Sequence, residues 1–168
     1  MPTCLITTVP FGSRNRFPLE MLEANDISYL VNPYGKKLNE DQLIDFLKDG
    51  VEVIVAGTEP LTRRVMEAAP YLRYISRVGI GLDSVDLIAA KELGIQVSYT
   101  PDAPAPAVAE LTICLMLSLL RDVHLSNAEL HKGNWVRHFG RRIAEITIGV
   151  IGLGRIGRRV LRRLAPFG

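Results

Sequence analysis

Over its first hundred residues the chain alternates short β-branched runs with stretches of helical spacing, and few folds can bury that pattern. The runs Thr3 to Val9 (TCLITTV), Ile27 to Val31, Val51 to Ala56 (VEVIVA), Arg73 to Val78 (RYISRV) and Ile95 to Ser98 read as strands. Each is short, apolar and bounded by turn formers. Between them lie a helical stretch over Leu19 to Asn25 and a helix capped by Asn39 that runs through Lys48 with Leu43, Ile44 and Leu47 on one face. Thr62 opens another, closed by Pro70. Asp83 or Ser84 caps a last one, which runs through Leu93 and is ended by Gly94. Side-chain oxygens at such caps take the orphan amides of the first turn, and a glycine stops a helix by turning left-handed. Strands separated by helices pair in parallel with right-handed crossovers. The expected fold class is α/β, a doubly wound parallel sheet whose ligands sit beyond the carboxyl ends of its strands. Thr58, Val78 and Gly79 fall at such ends. Ser13, Arg14, Asn15 and Arg16 follow the first strand, either facing a cleft or forming a plain polar loop.

The pattern changes near Thr100. Thr100 to Pro106 (TPDAPAP) carries three prolines and reads as an extended linker. A long helix is expected from Ala107 to Lys132, ended by Gly133. Its apolar density over Leu111 to Leu120 calls for burial on both sides. Beyond Trp135 and a basic loop come a strand at Ile146 to Ile151 and a helix from Arg155 to Ala165. The expected domains are residues 1–100 and 101–168.

The turn between that last strand and helix reads GLGRIG, the spacing G-x-G-x-x-G on Gly152, Gly154 and Gly157. A strand before it and a helix opening inside it are the context that makes this spacing a dinucleotide fingerprint. Gly152 permits the tight turn, Gly154 leaves room for a pyrophosphate, and Gly157 allows close packing of the helix. Amides at the helix N-terminus then face the phosphates, and Arg155 adds a cation. The acidic residue that grips the ribose lies about 20 residues further on in such folds. It falls near or beyond the last residue here, so NAD and NADP are not distinguished.

Bulk properties narrow the remaining classes. The net charge of +2 on 168 residues argues for neither nucleic acid nor a membrane surface. The most apolar stretch, Ala107 to Leu120, contains Glu110 and is shorter than the ~18 residues of a membrane span. The N-terminus lacks the pattern of a signal peptide. Cys4 and Cys114 are far apart and read as free, buried thiols. A cytoplasmic protein is expected. His124, His131 and His138 recur every seven residues, a spacing unlike helical metal sites, and read as surface or interface residues. Arg155, Arg158, Arg159, Arg162 and Arg163 share much of one helix face. They read as a solvated face, paired with acidic residues outside this chain, rather than a nucleic-acid patch.

The runs ISRVGIGLDSVD (Ile75 to Asp86), TP (Thr100, Pro101), AVAELT (Ala107 to Thr112), GNW (Gly133 to Trp135) and TIGVIGLGRIGR (Thr147 to Arg158) together resemble the D-isomer-specific 2-hydroxyacid dehydrogenases, phosphoglycerate dehydrogenase-like members in particular. The resemblance implies a flavodoxin-like substrate domain, an interdomain helix that forms much of a homodimer interface, and the first β-α unit of a Rossmann cofactor domain, with the active site in the cleft between domains. It implies that backbone amides of Val78 and Gly79 bind a substrate carboxylate, and that Ile80, Arg155 and Ile156 lie beside NAD or NADP with Gly152, Gly154 and Gly157. Thr58 stands where relatives with phosphorylated substrates often carry an arginine, and Ser84 replaces a usual asparagine. The family's catalytic arginine, glutamate and histidine match no position here. The expectation is therefore an N-terminal portion of an NAD(P)-dependent D-2-hydroxyacid dehydrogenase, inactive and weak in cofactor binding by itself. Its full form would act on a small 2-hydroxy or 2-oxo acid. The alternative is a non-catalytic dimerisation or ligand-binding module, or a corepressor-like scaffold of the same fold.

Overall fold

The computed structural model describes residues 3–168. They form two compact units, one running to Pro101 and the other over Asp102–Gly168. In the first, β1 (Cys4–Ile6), α1 (Phe17–Glu23), β2 (Tyr29–Val31), α2 (Glu40–Leu47), β3 (Val53–Ala56), α3 (Arg63–Glu67), β4 (Tyr74–Arg77), α4 (Leu87–Glu92) and β5 (Gln96–Tyr99) alternate along the chain. The sheet is wholly parallel in the order β2-β1-β3-β4-β5. That is the flavodoxin-like order, in which the winding reverses between β1 and β3.

Alternation along each strand decides what each face buries. Leu5, Ile54 and Ile75 point to the face covered by α2, α3 and α4, where they meet Leu43, Leu47, Val65, Met66, Ala89 and Ala90. Cys4 and Ile6 point the other way, onto Leu19 of α1, with Val53 and Val55 beside them. Leu5, Leu43, Leu47, Ile54 and Leu61 are each fully buried, contributing about 1.5–3 kcal/mol apiece.

The helix caps follow local chemistry. Asn39 and Gln42 form a reciprocal capping box at α2, with the Gln42 amide donating to Asn39 Oδ1 at 2.9 Å. Thr62 caps α3. Neither Asp83 nor Ser84 caps α4. Asp86 does, its Oδ1 accepting from the Ala89 amide at 2.9 Å, because Val85 is first drawn into a bridge with Leu61.

In the second unit, α5 (Ala105–Leu120), α6 (Val123–His131) and α7 (Arg155–Leu164) carry the structure. Pro106 lies in the first turn of α5 rather than in an extended linker, since a proline there sacrifices no helical hydrogen bond. The single long helix expected over 107–132 is broken. Asp122 is left-handed, with φ at +51°, a conformation that Asp tolerates. The Leu120 carbonyl accepts from the Arg141 amide at 2.8 Å instead of continuing the helix. Gly140 allows that approach, because a Cβ there would lie 2.5 Å from the Leu120 oxygen.

One face of α5, with Ala109 and Ile113, packs on Val160, Ile156 and Leu164 of α7. The other face is not buried as expected: Leu111, Leu115 and Leu119 are exposed. Residues 146–151 are extended with alternating burial but belong to no strand. An extended segment becomes a strand only by pairing, and these residues pair with no described neighbour. Cys4 is buried and Cys114 exposed, so only one thiol fits the expectation of buried cysteines.

Candidate functional site

In the first unit the carboxyl ends of β1, β3 and β4 open on a pocket of about 190 Å³. It is lined by Thr7 and Thr8 after β1, Gly57, Thr58 and Glu59 after β3, Arg77 and Val78 at the end of β4, and Lys37. It lies beside the reversal between β1 and β3, where such sheets hold ligands. Two hydrogen bonds shape its floor: the Thr7 hydroxyl donates to Glu59 Oε1, and the Gly57 amide donates to the same oxygen at 2.8 Å. Buried Asn32 donates to the Thr7 and Lys36 carbonyls and accepts from the Tyr34 amide, fixing the turn that carries Lys37. Leu61 ties this wall to the loop after β4: its amide donates to the Ser84 carbonyl at 2.8 Å, and its carbonyl accepts from Asp86 at 2.9 Å.

That loop, residues 78–84, is the candidate anion site. The Val78 amide is spent on the Ala56 carbonyl at 2.8 Å. The Gly79 amide donates to Thr100 Oγ1, also at 2.8 Å. Both expected donors are thus engaged within the unit. The next two amides, Ile80 and Gly81, have no partner among the described residues. Gly79 has φ at +148°, and a Cβ added there would strike the Arg77 guanidinium, so a side chain would meet both strain and a clash. Thr58 is exposed on the pocket rim, whereas Ser13, Arg14, Asn15 and Arg16 are exposed and line no part of the pocket.

Sequence reasoning passed over Glu59 and Arg77, the most buried charged groups here, at 2% and 8% exposure. One signal was available for Arg77: it stands two residues beyond Ile75, so strand alternation turns it to the same covered face.

In the second unit the fingerprint glycines take distinct conformations. Gly152 has φ at +91°, which makes the turn. Gly154 sits before α7 with open space where a Cβ would stand. Gly157 lies against the Gly152 carbonyl, which a Cβ would strike. No side chain caps α7, so its first amides are left to a ligand or water. A cradle with an open Gly154 and an uncapped helix N-terminus fits a dinucleotide's pyrophosphate. Arg155 and Ile156 form the first turn of that helix; Ile80 is partly buried in the loop of the first unit.

Three arginines of α7 find acidic partners within this unit. Asp102 meets Arg155 at 3.4 Å and Arg159 at 3.5 Å, and Glu110 meets Arg163 at 2.8 Å. His124 and His131 are exposed and His138 is partly buried. Among the described residues no cluster of His, Cys, Asp or Glu could hold a metal, and no helix is long and apolar enough to cross a membrane.

A flavodoxin-like sheet with a glycine loop at its carboxyl edge, followed by a dinucleotide fingerprint, defines a doubly wound α/β protein. The chain belongs to the family of D-isomer specific 2-hydroxyacid dehydrogenases, whose catalytic domain matches it over residues 17–163. It is 41% identical over 133 residues to a D-3-phosphoglycerate dehydrogenase of Methanocaldococcus jannaschii, a match covering 78% of this chain and 25% of that protein. To a hydroxypyruvate reductase of Thermotoga maritima it is 38% identical over 136 residues, 80% of this chain and 44% of that one. Among solved structures it resembles an NAD-dependent formate dehydrogenase of Staphylococcus aureus in complex with NAD, with a TM-score of 0.80 and 27% identity over 99% of this chain and 54% of that chain. The chain thus spans between a quarter and about half the length of these proteins.

Proposed function

We propose that this chain contributes the substrate-binding part, and the start of the cofactor-binding part, of an NAD-dependent oxidoreductase acting on the CH–OH group of a D-2-hydroxy acid. The observation that carries the reading is the division of labour among Gly152, Gly154 and Gly157 in a member of this family. The bound dinucleotide supplies or accepts a hydride at the substrate's C2. The chain's own residues bind and orient. Gly152, Gly154 and Gly157, with the first-turn amides at Arg155 and Ile156, would hold the pyrophosphate, and the Arg155 guanidinium adds a positive charge. The amides of Ile80 and Gly81 would receive the substrate carboxylate, presented by a loop that Gly79 turns and Thr100 anchors. The exposed Leu111, Leu115 and Leu119 stripe offers an apolar seat for a second copy.

The test is reduction of glyoxylate, pyruvate and hydroxypyruvate by the protein as its gene encodes it, with NADH and NADPH in parallel. Loss of the reduced nicotinamide's absorbance is expected with at least one of the acids. Its absence with all of them overturns the reading. The 168 residues assayed by themselves are expected to give no turnover and weak dinucleotide binding. Support comes from the unpaired 146–151 segment, which leaves Ile151 and Leu153 exposed on either side of Gly152.

A further inference from the structure

One flank of α7 carries more positive charge than its neighbours cancel. Arg155, Arg158, Arg159 and Arg162 follow i, i+3 and i+4 spacing, which gathers all four on one arc of the helix. With Asp102 they line a cavity of about 330 Å³. Asp102 divides its two oxygens between Arg155 Nε, at 3.4 Å, and Arg159 Nη2, at 3.5 Å. The side chains of Arg158 and Arg162 have no hydrogen-bond or ion-pair partner among the described residues. Four guanidinium charges against one carboxylate leave three unmatched. Local chemistry disfavours this placement. Arg155 and Arg158 span the first turn of α7, which holds no acidic residue, although the positive end of the helix dipole favours acids there. Like charges one turn apart repel as well. Both penalties reverse once an anion sits among the four.

We propose that this cavity binds a diphosphate group, as inorganic pyrophosphate or as the diphosphate of a nucleotide, at a site separate from the dinucleotide cradle. At roughly 1.5–2 negative charges per phosphoryl group, a diphosphate carries about three, the number left unmatched. A carboxylate would cancel one of them and orthophosphate about two. Guanidinium groups suit the ligand's geometry too, because each presents a planar fork of N–H donors that meets two phosphate oxygens at once. Arg158 and Arg162 offer whole forks, and Arg155 spends only Nε on Asp102. The nine heavy atoms of a diphosphate, at roughly 30 Å³ each, fit within about 330 Å³.

The site lies on the flank of α7, whereas the cradle lies at its tip. None of Gly152, Gly154 and Gly157 lines the cavity, and of the residues assigned to the dinucleotide only Arg155 belongs to both. A nucleic-acid backbone calls for cations strung along a groove, with aromatic side chains for its bases. Here the four cations close on one cavity that no aromatic residue lines, and the next arginine, Arg163, is held by Glu110. The inference does not depend on the dehydrogenase reading, since neither a substrate acid nor a hydride enters it.

The test is calorimetric titration of the protein as its gene encodes it with inorganic pyrophosphate, ADP and orthophosphate, each with and without saturating NAD. Pyrophosphate is expected to bind in the presence of NAD, at least about tenfold more tightly than orthophosphate, and to weaken steeply as salt is raised. In the double variant Arg158→Gln, Arg162→Gln its affinity should fall at least about tenfold, while NAD affinity stays within about twofold of the parent. Both side chains are exposed, so the variant should keep the parental melting temperature. ADP binding no tighter than pyrophosphate assigns the free diphosphate as ligand, and tighter binding assigns a nucleotide. Absence of pyrophosphate binding, its displacement by NAD, or an affinity unchanged in the double variant overturns the proposal. So does a single-stranded oligonucleotide that binds more tightly than pyrophosphate through the same two arginines.

Discussion

Replacing Gly157 and Gly154 separately by alanine tests whether the fingerprint glycines do different work. A Cβ on Gly157 would strike the Gly152 carbonyl oxygen and approach Val150 Cγ1 at 3.6 Å. The first obstacle is backbone at a turn with φ at +91°, so it cannot swing aside as a side chain would. Overpacking of this kind costs about 1–3 kcal/mol, and the helix-propensity gain of Gly→Ala returns only about 0.5–1 kcal/mol. The steric effect wins, leaving a net loss near 1–2 kcal/mol. At roughly 2–4 °C per kcal/mol, the melting temperature should fall by several degrees. Gly154 is the opposite case. Its φ is −75°, already suited to any residue, and nothing lies within 4 Å of the added carbon. Losing glycine at that cap position costs about 0.5 kcal/mol, so Gly154→Ala should melt within about 2 °C of the parent. The new methyl would nevertheless occupy the space assigned to pyrophosphate, and calorimetric titration of the protein as its gene encodes it should show NAD affinity reduced at least tenfold. Scanning calorimetry on both variants, followed by NAD titration of Gly154→Ala, separates the two roles. Equal melting temperatures for the variants, or undiminished NAD affinity in Gly154→Ala, would refute the reasoning.

Other consequences are simpler to check. Burial pushes the Cys4 thiol up to about 11, whereas Cys114 is exposed; a thiol reagent should label Cys114 promptly in the native protein and Cys4 only on unfolding. Because the unfolded Cys4 thiol loses its proton first, from about pH 9.0, the stability it contributes is complete below that pH and declines as pH rises through about 11; a flat stability profile across that range would count against a buried neutral thiol. Asp86→Ala removes the acceptor for the Ala89 amide at the start of α4 and should cost about 1 kcal/mol in denaturant unfolding, while Ser84→Ala should leave α4 unaffected. Asp102→Asn loses contacts to Arg155 and Arg159 that are half exposed, so its destabilisation should stay below about 1 kcal/mol and vanish in high salt.

What could be read in advance followed from local rules. Strand alternation and turn residues located every strand of the sheet, and the Asn39 and Thr62 caps could be named because a cap depends on one side chain and the amides three residues on. The failures needed information from further along the chain. Asp86 rather than Asp83 caps α4 because Leu61, more than twenty residues away, first engages the Ser84 carbonyl and the Asp86 amide on either side of Val85. The break at Asp122 depends on an amide at Arg141 that no helical pattern over 107–132 reveals.

The site shows the same division more sharply. The glycine-rich loop after β4 was legible as a candidate for anion binding, since Gly79 and Gly81 announce unusual backbone, but which of its amides are engaged was not. That depends on Ala56 accepting from Val78 and on Thr100 reaching back to Gly79, both consequences of parallel pairing. Glu59 was harder still: beside a proline in AGTEPLT it reads as an ordinary exposed loop acid. Only the closing of β1 beside β3 brings Thr7 to it and removes it from water. Burial of a carboxylate without a paired cation runs against stability alone. Local rules fail to predict such a residue because they describe how chains fold, and a buried charge awaiting a partner answers to what the chain binds.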